Sequence, residues 1–171
     1  MSITVLRWSL LPLMMLATLP ALAADALFRS SFESSICDDA FPEAEPNDTA
    51  ATATSVVLSN STGLACGSIS PAGDFDYFEI SLSASQTLLV ETIRADGTPC
   101  DASIPMSLVV YGPSLNAIDT DNNGGIGGCA SLDGLTLPSL QGLPAGNYYI
   151  RVQQSDDNLV VPLYALRIML L

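Results

Sequence analysis

From residue 55 onward, short runs of alternating apolar and polar side chains recur between turn residues. Over residues 77–82, Phe78, Ile80 and Leu82 alternate with Tyr77, Glu79 and Ser81. That period of two belongs to a strand with one buried face. The same alternation places Met106, Leu108 and Val110 on one side of a strand over 106–111. Over 147–153 it turns Tyr148, Ile150 and Val152 inward and Tyr149, Arg151 and Gln153 outward. Over 164–170, Leu166 and Ile168 face in and Arg167 faces out. Further strands are predicted at 56–58 and 87–93, and a weaker one at 135–140, where Pro138 argues for a sheet edge. Residues 49–54 are expected either to form a helical turn capped by Asp48 or to run extended. No 3.6-residue period is found between 55 and 171. About seven to nine short strands punctuated by Gly, Pro, Asn and Ser predict an all-β fold, an antiparallel β-sandwich.

The first residues have a different pattern. Arg7 precedes an apolar run over 10–19, and Ala21-Leu22-Ala23 supplies small residues for cleavage, so residues 1–24 are expected to be a signal peptide. Pro12 and Pro20 interrupt a stretch already short for a membrane span. No cysteine stands at the cleavage site, so no membrane anchor is expected. Residues 25–42 are expected to form an N-terminal tail and residues 43–171 a single domain. The location expected is secreted or periplasmic.

Of 171 residues, 18 are acidic, five are basic and none is His, a net charge of −13. Nucleic acid and anionic lipid are therefore poor partners, while cations are good ones. Without His or Lys, a Ser or Cys nucleophile lacks its usual base and a P-loop its lysine. A small carboxylate-dependent hydrolase is the one enzyme class left, and no signature surrounds any Asp or Glu. The protein is expected not to be an enzyme.

Cys37, Cys66, Cys100 and Cys129 form an even set, and in an exported chain they read as two disulfides. Of three connectivities, Cys37–Cys66 would tie the tail to the domain and Cys100–Cys129 would close a central hairpin. That connectivity is favoured.

The densest candidate chemistry lies in two acidic knots. Residues 43–48 read Glu-Ala-Glu-Pro-Asn-Asp, and residues 73–78 read Gly-Asp-Phe-Asp-Tyr-Phe. Calcium takes six to eight oxygen ligands, several of them charged, and two converging knots would supply them. The alternative is a solvated acidic linker. A further run, Asp119-Thr120-Asp121-Asn122-Asn123-Gly124, copies half of an EF-hand loop, but its twelfth position is Ala130, and a Gly-rich turn is the better reading.

The opening Glu-x-Glu-Pro-Asn-Asp-Thr resembles the start of the bacterial pre-peptidase C-terminal domain, which includes the collagen-binding domains of clostridial collagenases. Asp74-Phe75-Asp76-Tyr77-Phe78 after Gly67-Ser68-Ile69, Leu108 to Gly112, Leu143 to Val152 and Tyr164-Ala165-Leu166 follow in the family's order. The resemblance implies a β-sandwich of jelly-roll type over residues 43–171. It also implies calcium between linker and sandwich, held by Glu43, Glu45, Asn47 and Asp48 together with Asp74 and Asp76. Outward-facing Tyr111, Tyr149 and Arg151 would form a ligand face. The function implied is a secreted, non-catalytic binding or accessory module for extracellular protein or polysaccharide. Because the chain carries no protease, a folding aid or inhibitor acting on a secreted peptidase is the alternative.

Overall fold

The computed structural model describes residues 35–171. The expected signal peptide and residues 25–34 of the tail lie outside them. Ten strands form two five-stranded sheets. In chain order they are β1 (Phe41–Pro42), β2 (Thr54–Ser55), β3 (Thr62–Ile69), β4 (Asp76–Leu82), β5 (Leu88–Arg94), β6 (Met106–Tyr111), β7 (Ala117–Asn122), β8 (Ser131–Asp133), β9 (Gly146–Gln154) and β10 (Val161–Leu170). One sheet runs β1-β3-β10-β5-β8 and the other β2-β4-β9-β6-β7. Successive strands mostly cross from one sheet to the other, the wiring of a jelly roll. All pairings are antiparallel except the two-residue β1 and β2, which lie parallel to β3 and β4. Among the described residues, no helix is long and apolar enough to cross a membrane.

The core lies between the sheets, where the alternation put it. Phe78, Ile80, Leu82, Met106, Leu108, Val110, Tyr148, Ile150 and Val152 come from one sheet, and Leu88, Val90, Leu166 and Ile168 from the other. These positions are large, apolar and in register, so burying them drives the two sheets together. The buried Tyr148 keeps its polar end satisfied by donating to Pro144 O at 2.9 Å.

Three stretches differ from the sequence reading. Residues 56–58 are not a strand, because Val56 and Leu58 pack over Gly63 of β3. Residues 135–140 are not an edge strand either. Thr136 and Leu137 donate to Asp133 O, closing a turn, and Pro138–Leu140 is a 3-10 turn that buries only Leu140. The run at 119–124 supplies the end of β7 and the turn after it, where the Asp121 carboxylate accepts from Gly124 N and Ser131 N. Residues 50–52 form a 3-10 turn.

Both disulfides are present, Cys37–Cys66 and Cys100–Cys129, each spanning 29 residues. The first fixes the described part of the tail to β3, alongside the β1 pairing of Phe41 with Ala65 and Pro42 with Cys66. Residues 35–55 thus form a strap laid along the edges of both sheets.

Candidate functional site: an acidic strap against the sandwich

The strap carries the first acidic knot, and the start of β4 carries the second. Glu43 N donates to Cys66 O at 2.8 Å, which carries β1's course past its last pair. The Glu43 side chain then reaches along β3, where Oε1 accepts from Ser68 N at 2.7 Å and from Ser68 Oγ at 3.1 Å. Two residues on, Glu45 Oε2 accepts from Asn47 N at 2.9 Å, folding the strap so that Asn47 enters the protein. Asn47 is fully buried, and its Nδ2 contacts Thr54 Oγ1 at 3.4 Å. Its carbonyl accepts from Tyr77 N at 2.9 Å, one residue beyond Asp76. Asp76, also fully buried, takes a 2.5 Å hydrogen bond from Tyr164 OH on its Oδ2.

These contacts use only half of each functional group. Glu43 Oε2, Asn47 Oδ1 and Asp76 Oδ1 are buried and have no hydrogen-bond partner. Carboxylate oxygens of Glu43, Glu45 and Asp76 lie within 4.8 Å of one another. A buried acceptor without a donor costs about 1–3 kcal/mol, more when charged, so these oxygens call for a shared proton or a cation. Burial, and then the neighbouring Glu43, push the Asp76 carboxyl up to about 9 despite the hydrogen bond from Tyr164. Burial likewise raises Glu43, against the lowering by its Ser68 bonds. Burial and the adjacent Asp76 raise Tyr164 as well, so the phenol stays protonated and remains a donor. The oxygens are hard, anionic or amide acceptors, the donor set that suits calcium.

Asp48 and Asp74 are placed differently. Asp48 is exposed, and hydrogen bonding to Asp74 raises its carboxyl. Asp74 is tied to its own loop, accepting from Ser70 N and Phe75 N at 3.0 Å each. Of the six residues named from the sequence, Glu43, Glu45 and Asp76 share one cluster, Asn47 is tied to it through Glu45, and Asp48 and Asp74 form a separate pair. Ser68, Thr54 and Tyr164 were not named as part of the site. Hydroxyl residues carry no charge signature, and only the folded chain brings them in.

Gly67 sets the spacing. A Cβ there would run into Glu43 Oε2 and come within 2.6 Å of Tyr164 Oη. Gly67→Ala is therefore expected to displace the Glu43 carboxylate and lower stability by roughly 1–3 kcal/mol. A urea melt checks the stability, and loss of any calcium-dependent gain in the same melt checks the displacement.

The named ligand-face residues lie together on the outside of β4, β9 and β6. Tyr149 pairs with Tyr111 across one strand boundary, and Arg151 pairs with Tyr77 across the other. The rings of Tyr77 and Tyr111 meet over β9 at 6.0 Å between centroids, stacked with 25° between planes. The Arg151 guanidinium stands 5.0 Å from the centre of the Phe75 ring. Tyr77 and Phe75 were not named as part of this face, because both sit within the acidic knot that drew the metal reading.

An all-β jelly roll with an acidic strap on its edge defines a small β-sandwich class. Residues 74–154 match the family model of the bacterial pre-peptidase C-terminal domain, so the resemblance read from the sequence holds over that span. Such a domain is a non-catalytic accessory module. Among solved structures, the chain is similar to the pre-peptidase C-terminal domain of collagenase from Bacillus anthracis, at 17% identity and a TM-score of 0.49, covering 68% of this chain and 93% of that one. It is also similar to PliG, a periplasmic inhibitor of g-type lysozyme, from Aeromonas hydrophila (20% identity, TM-score 0.47, 70% and 96% covered). The PliG of Salmonella Typhimurium gives 18% identity, a TM-score of 0.44, and 70% and 99% covered. None of the curated proteins matches the sequence.

Proposed function

We propose that this protein is an exported, non-catalytic binding module whose strap is held by a calcium ion and whose outer β4-β9-β6 face meets an extracellular protein or polysaccharide. The observation that carries the binding role is the aromatic face itself. Tyr77, Tyr111 and Tyr149 with Arg151 line one sheet surface, half-buried rather than solvated singly. Tyr and Arg give large contact areas with directed donors, the composition of interface hot spots. Calcium is supported by the three unpartnered oxygens of Glu43, Asn47 and Asp76. In that site Glu43, Glu45, Asn47 and Asp76 would hold the ion. Ser68 and Tyr164 would orient the two buried carboxylates. Calcium would supply positive charge that neutralises the strap and locks it to β3 and β4.

Binding to fibrillar collagen and to insoluble peptidoglycan, measured by co-sedimentation, tests the role. The wild-type protein is expected to sediment with one of them. Tyr77→Ala/Tyr149→Ala is expected to weaken that binding at least about tenfold, the loss of one interface hot spot. Equal retention of the variant would remove the face from the proposal. Turnover of a peptide or glycan substrate, abolished by an Asp or Glu change that leaves the fold intact, would replace the module with a hydrolase.

A further inference from the structure

Cys37 and Cys66 bracket the acidic cluster. Cys66 is followed at once by Gly67, which makes room for Glu43, and by Ser68, which holds Glu43 Oε1. Cys37 stands six residues ahead of Glu43 on the strap. Between them, the strap's backbone is joined to β3 only by the two-residue β1 and the bond from Glu43 N to Cys66 O. Against those few bonds stands the crowding of the Glu43, Glu45 and Asp76 carboxyl oxygens within 4.8 Å of one another. Beyond β3, the strap is held by the bonds from Tyr77 N to Asn47 O and from Ile36 N to Ala95 O and by the two-residue pairing of β2 with β4.

Resting on the calcium reading above, we propose that the Cys37–Cys66 disulfide and the bound ion are two parts of one clasp, each tightening the other. With the disulfide closed, Glu43 and Glu45 are kept beside Asp76 at high effective concentration, and the ion binds a preassembled set of oxygens. With it open, the ion must also order the strap. Linkage makes the effect reciprocal, so bound calcium protects the disulfide by the same factor. Opening takes two electrons from a dithiol. Its thiolate attacks Cys37 Sγ, the more accessible sulfur because Cys66 is only 6% exposed. A mixed disulfide forms as the Cys66 thiolate leaves, and the second thiol of the reductant then closes its own ring and releases Cys37. The products are two protein thiols and one cyclic disulfide.

Cys100–Cys129 is an internal control. It spans an equal 29 residues, but it lies outside the strap sequence, with Cys100 Sγ 3.9 Å from Thr92 O on β5. Calcium titration by calorimetry of the oxidised wild type, Cys37→Ser/Cys66→Ser and Cys100→Ser/Cys129→Ser tests the coupling. The first variant is expected to raise Kd roughly 5–150-fold. The second is expected to stay within about twofold of wild type. Should Cys37→Ser/Cys66→Ser not fold, the wild-type chain is titrated with dithiothreitol in saturating calcium and in chelator, and mass tagging counts thiols at each pair. Calcium is then expected to shift the half-reduction point of Cys37–Cys66 well beyond that of Cys100–Cys129. Equal Kd values for wild type and Cys37→Ser/Cys66→Ser, or equal shifts at the two disulfides, would overturn the coupling alone. No calcium binding by the oxidised wild type would overturn the calcium reading first, and the coupling with it.

Discussion

Calcium added to the metal-stripped protein at neutral pH is expected to raise its melting temperature by roughly 5–16 °C. The estimate follows from mass action. An ion that binds only the folded state adds about 2.7 kcal/mol at a hundred times Kd and about 4.1 kcal/mol at a thousand times. For a domain near 150 residues, each kcal/mol moves the midpoint by about 2–4 °C. The folded state alone can bind the ion tightly because only there do the carboxylates of Glu43, Glu45 and Asp76 come within 4.8 Å of one another. Those three groups come from the strap and from β4, which are far apart in an unfolded chain. Magnesium, which sheds its water reluctantly and demands octahedral geometry, is expected to give a smaller shift. A scan with calcium, magnesium and chelator in parallel checks this. Identical melts with calcium and chelator would sink the metal site.

The second large effect is on the pH dependence of the metal-free protein. Asp76 in the folded state titrates at about 9, against 3.8 for an ordinary aspartate. Between those values the folded chain holds a proton that the unfolded chain has lost. Stability therefore falls as pH rises, by at most about 1.4 kcal/mol per pH unit for one proton. The contribution is complete below 3.8 and is lost as pH climbs through about 9. Glu43, also raised, acts in the same direction. Urea midpoints in chelator are thus expected to be higher at pH 5 than at pH 8. Calcium should flatten the slope by taking the proton's place between the two carboxylates. Asp76→Asn should flatten it too and should abolish the calcium response, because the titrating carboxyl, which calcium would need ionised, is gone. A metal-free protein equally stable at pH 5 and pH 8 would show that Asp76 is not held protonated.

The parts of the fold that were legible in the sequence are those built from large alternating side chains. β4, β6, β9 and β10 could be read with their inward faces because Phe, Ile, Leu, Val and Tyr mark every second residue. β3 was missed because Gly63, Ala65 and Gly67 occupy its inward positions. Small residues there let Val56, Leu58 and the Glu43 carboxylate approach, and they carry no hydrophobic signal. β7 was missed because it is polar and lies at a sheet edge. The alternation at 135–140 misled for the opposite reason: Leu135 is 68% exposed, and its neighbours serve a turn. The acidic knots stood out in the sequence as charge. Their supports did not, since Ser68 lies 25 residues from Glu43 and Tyr164 lies 88 from Asp76. Such partners are uncharged residues defined only by through-space contact.

The two disulfides close successive stretches of chain, 37–66 and 100–129, which neither nest nor cross. A polypeptide delivered N-terminus first into an oxidising compartment would expose Cys66 when Cys37 is the sole earlier member of the set. By the time Cys100 arrives, that pair can already be sealed, and Cys129 finds one thiol waiting. Pairing in order of arrival reaches the correct connectivity directly. An oxidant that simply joins the newest thiol to the one before it would suffice, with no isomerase needed to repair scrambled bonds.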